Sequence, residues 1–62
     1  MTRMEDLTDG RRVRHPNWGQ EGTVRVTGGE TFVRWDGSEV DSPVTEDGYL
    51  TPAFLEITGE GP

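Results

Sequence analysis

The sequence has 62 residues, a net charge of −6 and no cysteine. This length predicts one small domain, and the absence of cysteine excludes disulfides and thiolate metal sites, which favours a reducing compartment. No apolar run approaches the roughly 20 residues of a membrane span, and the first residues lack the apolar segment of a signal peptide. We therefore expect a cytoplasmic protein without membrane contact.

The charges are unevenly distributed along the chain. All six basic residues are arginines within residues 1–35, whereas residues 36–62 hold seven of the 12 acidic residues and no base. An acidic protein repels a phosphate backbone at long range, so this balance disfavours nucleic acid as a partner. A local arginine patch still keeps nucleic-acid binding open as an alternative, and its candidate contacts are Arg11, Arg12 and Arg14, extended by Arg25 and Arg34.

The pattern along the chain predicts short strands and no long helix. Residues 1–8 are expected to be flexible or loosely packed, residues 9–58 to form the folded domain and residues 59–62 to be a disordered tail. The pairs Gly28-Gly29 and Asp36-Gly37 are typical of two-residue hairpin turns, and Thr51-Pro52 favours the start of one helical turn. The predicted strands occupy residues 11–16, 22–27, 30–35, 38–41 and 55–57.

The two hairpin turns predict compatible strand registers. The first places Val24 opposite Val33, and the second places Val33 opposite Val40. One face of the sheet is then apolar and points inward, and it comprises Val24, Val26, Val33, Trp35 and Val40. The opposite face is predicted to carry Arg25 beside Phe32, and an ion pair between Arg34 and Glu39.

A shared set of motifs gives the chain a family resemblance. The opening Gly10-Arg11-Arg12-Val13-Arg14-His15-Pro16-Asn17-Trp18-Gly19, followed by Gly22-Thr23-Val24, resembles the C-terminal Tudor-like tail of UvrD/PcrA-type helicases. The segment Val33-Arg34-Trp35-Asp36-Gly37 resembles Mind-bomb-type domains. The chain is also similar to KOW modules, which form small barrels of the same kind. The resemblance implies an all-β fold, a small five-stranded SH3-like barrel with one short helical turn before the last strand. It also implies a protein-docking role, which in the helicase case engages RNA polymerase.

The residue inventory argues against catalysis. His15 is the only histidine, whereas a catalytic triad needs a nucleophile, a base and an orienting group held by a scaffold, and zinc needs three or four ligands. His15 is instead predicted to pack against Trp18 at the end of a strand. A core this small leaves no room for a deep cleft, so we expect no catalytic residue, no metal, no cofactor and no small-molecule substrate.

The remaining aromatic and arginine side chains are the candidates for recognition, because Trp, Tyr and Arg carry much of the energy of protein interfaces. The predicted contact residues are Trp18, Arg25, Phe32, Arg34 and Tyr49. Two alternatives stay open: Trp18 as a lid over the barrel end, and Phe32 as a side chain covered by the loop 42–48. Trp35 is predicted to be core, and Phe54 to cap the barrel bottom.

These residues predict a protein-interaction module, an accessory factor that docks onto transcription or DNA-processing machinery such as RNA polymerase or a DNA-processing enzyme. The alternatives are a nucleic-acid-binding barrel that uses the arginine patch, an acidic inhibitor that mimics nucleic acid, and a structural subunit of a larger assembly.

Overall fold

A computed structural model describes residues 2–59 of the chain. Within this range the chain forms five strands and two single-turn 3-10 helices, Met4–Asp6 and Pro52–Phe54. The strands are β1 (Arg12–His15), β2 (Gln20–Thr27), β3 (Glu30–Trp35), β4 (Asp41–Pro43) and β5 (Glu56–Gly59). The all-β class, the five strands and the helical turn before the last strand are confirmed. Of the predicted tail 59–62, Gly59 is the last residue of β5, and residues 60–62 lie outside the described residues.

The strands form one antiparallel sheet in the order β4-β3-β2-β1-β5. Strands β1 to β4 follow one another as neighbours, and β5 returns to pair with β1. In the described range β4 and β5 are the two edges, so the sheet is open, in contrast to the closed barrel that the sequence predicted. Short edges explain this difference: β4 has three residues, and its last residue, Pro43, has no N–H to donate.

The first hairpin forms as the sequence predicted. Gly28 and Gly29 have φ values of 60° and 79°, and positive φ at both central residues is the geometry of a type I′ turn. Val24 pairs with Val33 and Thr27 with Glu30, so the predicted register is confirmed. Val26 is nevertheless 41% exposed, because the tip of this hairpin extends past the core.

The second hairpin differs from its predicted form. Strand β4 begins at Asp41 instead of residue 38, and Arg34 pairs with Asp41 instead of Glu39. The loop 36–40 is longer because the Ser38 amide donates to the Trp35 carbonyl and the Val40 amide donates to the Ser38 hydroxyl, which closes a local turn instead of extending a strand.

This change of register exchanges one valine for another in the core. Val40, predicted to point inward, is 70% exposed, whereas Val44 is buried. The core comprises Leu7, Val13, Val24, Val33, Trp35, Val44, Leu50 and Leu55, with Met4 and Ile57 packed against it. The inward positions of Val24, Val33 and Trp35 are confirmed. At Gly22 a Cβ atom would lie 2.6 Å from the Arg34 carbonyl oxygen, so β2 and β3 approach too closely there for any larger residue.

Candidate functional site

The end of β1 places a stacked pair of rings at one end of the sheet. After His15, the Trp18 and Gly19 amides both donate to the His15 carbonyl, at 3.1 and 2.8 Å. Gly19 has a φ of 68°, the left-handed conformation that favours glycine. This turn folds the Trp18 indole back onto the imidazole, with ring centroids 3.7 Å apart and planes 7° from parallel. The predicted packing of His15 against Trp18 is confirmed.

Three more aromatic rings surround this stack. Trp35 of β3 meets the Trp18 ring edge-on at 6.0 Å, Tyr49 lies 6.4 Å from Trp18, and Phe54 lies 6.3 Å from His15. We call these five residues the aromatic patch: His15, Trp18, Trp35, Tyr49 and Phe54. Three segments of the chain, residues 15–18, residue 35 and residues 49–54, therefore converge on one patch.

The aromatic patch has a buried base and an exposed rim. His15 and Trp35 are buried, whereas Trp18 is 49%, Phe54 51% and Tyr49 90% exposed. Edge-to-face and offset contacts of this kind stabilise aromatic pairs by about 0.5–1.5 kcal/mol beyond their buried area. The base thus supports the Trp18 and Phe54 rings from below, while Tyr49 touches only the outer ring of Trp18, and the outer faces of all three stay exposed to solvent.

His15 carries a polar atom that the patch leaves unsatisfied. Its Nδ1 is buried and has no hydrogen-bond partner among residues 2–59. An unpaired buried polar atom costs about 1–3 kcal/mol, which an apolar ring at this position would avoid. The imidazole therefore carries a cost to stability that a phenyl ring stacked on Trp18 in the same place would not carry.

The other predicted contact residues lie on the opposite face of the sheet. Arg25, Phe32 and Arg34 alternate with the buried Val24, Val33 and Trp35 along β2 and β3. Phe32 is half-buried, faces Arg25 across the strands, and lines a cleft of about 360 Å³ with Met4, Pro43 and Val44. The structure therefore brings together Trp18 and Tyr49 but separates them from the other three.

The arginines are mostly engaged within the molecule. The two Nη atoms of Arg12 donate to the Asp36 carboxylate at 2.8 and 2.6 Å, and Nη1 also donates to the Thr23 hydroxyl. Arg34 donates to Asp41 at 2.7 Å, and Arg11 donates to the Asp6 carbonyl. Arg14 lies between Glu21 of β2 and Glu56 of β5 in the sheet register.

The contact with Asp36 alters the titration of both groups. The hydrogen bonds that the Asp36 carboxylate accepts from Arg12, together with the positive charge of that guanidinium, lower the pKa of Asp36 and keep it ionised. The same hydrogen bonds raise the pKa of Arg12. A guanidinium held by a two-point contact is less able to reach a phosphate.

Sequence reasoning assigned His15 and Phe54 purely structural roles and missed that both belong to the aromatic patch, His15 in its buried base and Phe54 at its exposed rim. The sequence did contain an indication for His15, because the turn that carries Trp18 begins directly after it. Phe54 gave no such signal, since it reaches the stack only through the fold.

Among residues 2–59, no group of three or more His, Cys, Asp or Glu side chains is placed to hold a metal ion. No helix in that part of the chain has the length and apolar character needed to cross a membrane. Comparisons of the chain with protein-family models, with curated proteins and with solved structures give no match.

Proposed function

We propose that this chain is a non-catalytic protein-interaction module that docks through the aromatic patch. The observation that carries the proposal is the half-exposed Trp18 ring, held parallel to the buried His15 ring at 3.7 Å and flanked by the exposed Tyr49 and Phe54. Exposed aromatic side chains with fixed orientations are the residues that most often dominate binding energy at protein interfaces.

The rigidity of the patch supports this function. Binding normally costs about 0.5–1.5 kcal/mol for each side chain that must be immobilised. Trp18 is already ordered by its stack on His15 and by the backbone hydrogen bonds of its turn. A partner that contacts this ring would therefore cause little further loss of side-chain freedom.

The charge arrangement favours a protein partner over nucleic acid. Arg12 and Arg34 are held by carboxylates, and the chain carries a net charge of −6. Specific contacts to phosphates need cationic groups that are free to replace counterions. The resemblance of the Gly10–Gly19 segment to helicase tails extends the proposal to an accessory factor of transcription or DNA-processing machinery, with RNA polymerase or a DNA-processing enzyme as the partner.

The proposal is tested by affinity capture from the native host, followed by mass spectrometry and direct measurement of binding to the captured protein. Trp18→Ala and Tyr49→Ala should each weaken binding, with a loss of about 2 kcal/mol, or roughly 30-fold, at a central anchor. Val40→Ala is the matched control, because Val40 is an exposed apolar side chain in the loop 36–40.

Phe32→Ala separates the two faces of the sheet, since Phe32 lies on the face opposite the patch. Unchanged affinity with Phe32→Ala is the expected result. If both patch variants bind as tightly as the wild-type protein, the aromatic patch is not the docking surface.

A further inference from the structure

The chain contains three Asp-Gly pairs, Asp9-Gly10, Asp36-Gly37 and Asp47-Gly48. In such a pair the glycine backbone nitrogen can attack the aspartate Cγ, forming an N–Cγ bond and releasing water to give a succinimide ring. Water then opens the ring at either carbonyl and regenerates aspartate or gives isoaspartate. Glycine allows this step most readily because it has no Cβ and wide conformational freedom.

Both reacting groups of the first pair are engaged in hydrogen bonds. The Asp9 carboxylate accepts from the Val26 amide at 2.9 Å. The attacking nitrogen of Gly10 donates to the Val24 carbonyl at 2.8 Å. Ring closure here requires both hydrogen bonds to break. The segment with Asp9 and Gly10 must then detach from β2.

The second pair is restrained at its carboxylate. Both oxygens of Asp36 accept from the Arg12 guanidinium, and the Asp36 amide donates to the Glu21 carbonyl at 2.9 Å. The same contact lowers the pKa of Asp36, and a carboxylate is a poorer electrophile than a carboxylic acid because hydroxide leaves more easily than oxide. Geometry and ionisation therefore act in the same direction.

In the third pair, no hydrogen bond within residues 2–59 holds either reacting group. Asp47 and Gly48 lie in a succession of bends from Glu46 to Leu50, and both are exposed. No hydrogen bond or ion pair within residues 2–59 engages the Asp47 carboxylate or the Gly48 amide. We propose that Asp47 is a site of spontaneous isomerisation to isoaspartate in the folded protein, and that Asp9 and Asp36 are protected by the fold.

The product would change the surface next to it. Isoaspartate routes the main chain through the side-chain carbon and adds one methylene to the backbone, two residues before Tyr49. The Tyr49 ring lies 6.4 Å from Trp18 at the rim of the aromatic patch. The modified protein would also be a substrate for protein-isoaspartate methyltransferases, which transfer a methyl group from S-adenosylmethionine to the released α-carboxylate. This inference does not depend on the proposed function.

The test incubates the full chain at neutral pH, folded in buffer or unfolded in guanidinium chloride, and then digests it. Isoaspartate is quantified at each site by chromatographic separation of the peptides, by fragment ions in mass spectrometry, and by enzymatic methylation with labelled S-adenosylmethionine. In the folded protein we expect Asp9 and Asp36 to isomerise at least about tenfold more slowly than in the unfolded chain, which corresponds to an opening free energy of about 1.4 kcal/mol. Asp47 should isomerise at similar rates in both.

Two variants sharpen the result. Arg12→Ala releases the Asp36 carboxylate, so isoaspartate should appear at Asp36 while Asp47 is unaffected; intrinsic tryptophan fluorescence checks that the variant is folded. Asp47→Glu should abolish the signal at that site, because ring closure through an extra methylene is slower. Equal protection of all three sites in the folded protein, or isomerisation of Asp36 as fast as Asp47, would overturn the proposal.

Discussion

At the scale of single residues, Arg12 connects three parts of the molecule. Its guanidinium extends from β1 to the Thr23 hydroxyl on β2 and to the Asp36 carboxylate in the loop after β3. No local pattern in the sequence predicts the contact with Asp36, because the two residues are 24 positions apart. The contact joins the first residue of the loop 36–40 to β1.

The lowered pKa of Asp36 predicts a pH dependence of stability. Because folding lowers this pKa, the ionised carboxylate favours the folded state; the contribution is complete above the ordinary aspartate pKa and is lost as the pH falls through the lowered value. Asp36→Ala should therefore destabilise the protein slightly at neutral pH, as expected for an exposed ion pair, and its difference from wild type should shrink below about pH 4. Urea unfolding at a series of pH values measures this difference.

The matched control is Asp47→Ala, which removes an aspartate without a partner among residues 2–59. Its free energy of unfolding should stay close to the wild-type value at every pH. A constant difference between Asp36→Ala and wild type across the acidic range would show that the carboxylate does not stabilise the fold through its charge.

At the scale of elements, the two hairpins show how far sequence reasoning extends. The Gly28-Gly29 turn was predictable because both residues need positive φ, and this turn type fixes the register of the strands on either side. Asp36-Gly37 has an equally strong turn signal, and Gly37 does adopt a φ of 84°. The strand after it starts later than predicted, because the Ser38 hydroxyl accepts from the Val40 amide and closes a further turn, which the Asp-Gly pair does not indicate.

The aromatic patch was also predictable only in part, because one of its contacts is local in sequence and the others are not. The stack of His15 and Trp18 follows from a local turn, so the sequence indicated it. The convergence of Tyr49 and Phe54 on that stack depends on how the segment after β4 returns to the sheet, and the sequence offers no periodic signal there. Arg25, Phe32 and Arg34 were grouped with Trp18 because aromatic and arginine side chains carry much of the energy of protein interfaces, although the alternation of the strands separates them from Trp18.

The corrected register of β4 makes a prediction about three valines. Val33→Ala and Val44→Ala remove buried methyl groups and should each lower the free energy of unfolding by about 1–3 kcal/mol. Val40→Ala should change it by less than about 0.5 kcal/mol, as is usual for surface positions. A chain of this size has a total stability of about 3–9 kcal/mol, so chemical denaturation resolves the difference. A large loss with Val40→Ala and none with Val44→Ala would instead support the two-residue turn.

At the scale of the whole molecule, net charge and charge pairing act together. Two of the six arginines of residues 1–35 are paired with acidic residues of the segment 36–62, through Arg12–Asp36 and Arg34–Asp41. Exposed pairs of this kind add little to stability. Their larger effect is on recognition, because they reduce the number of arginines that are free to bind a phosphate.

This arrangement predicts that the wild-type protein does not bind nucleic acid, even at low salt. In an electrophoretic mobility assay with duplex DNA and single-stranded RNA we expect no retarded complex. The double variant Asp36→Ala, Asp41→Ala frees Arg12 and Arg34, so weak binding should appear, with the logarithm of the binding constant falling against the logarithm of salt concentration at a slope of about −2. A salt-sensitive complex with the wild-type protein would favour the nucleic-acid alternative. Failure of the double variant to bind would show that net charge, and not the pairing of these arginines, excludes nucleic acid.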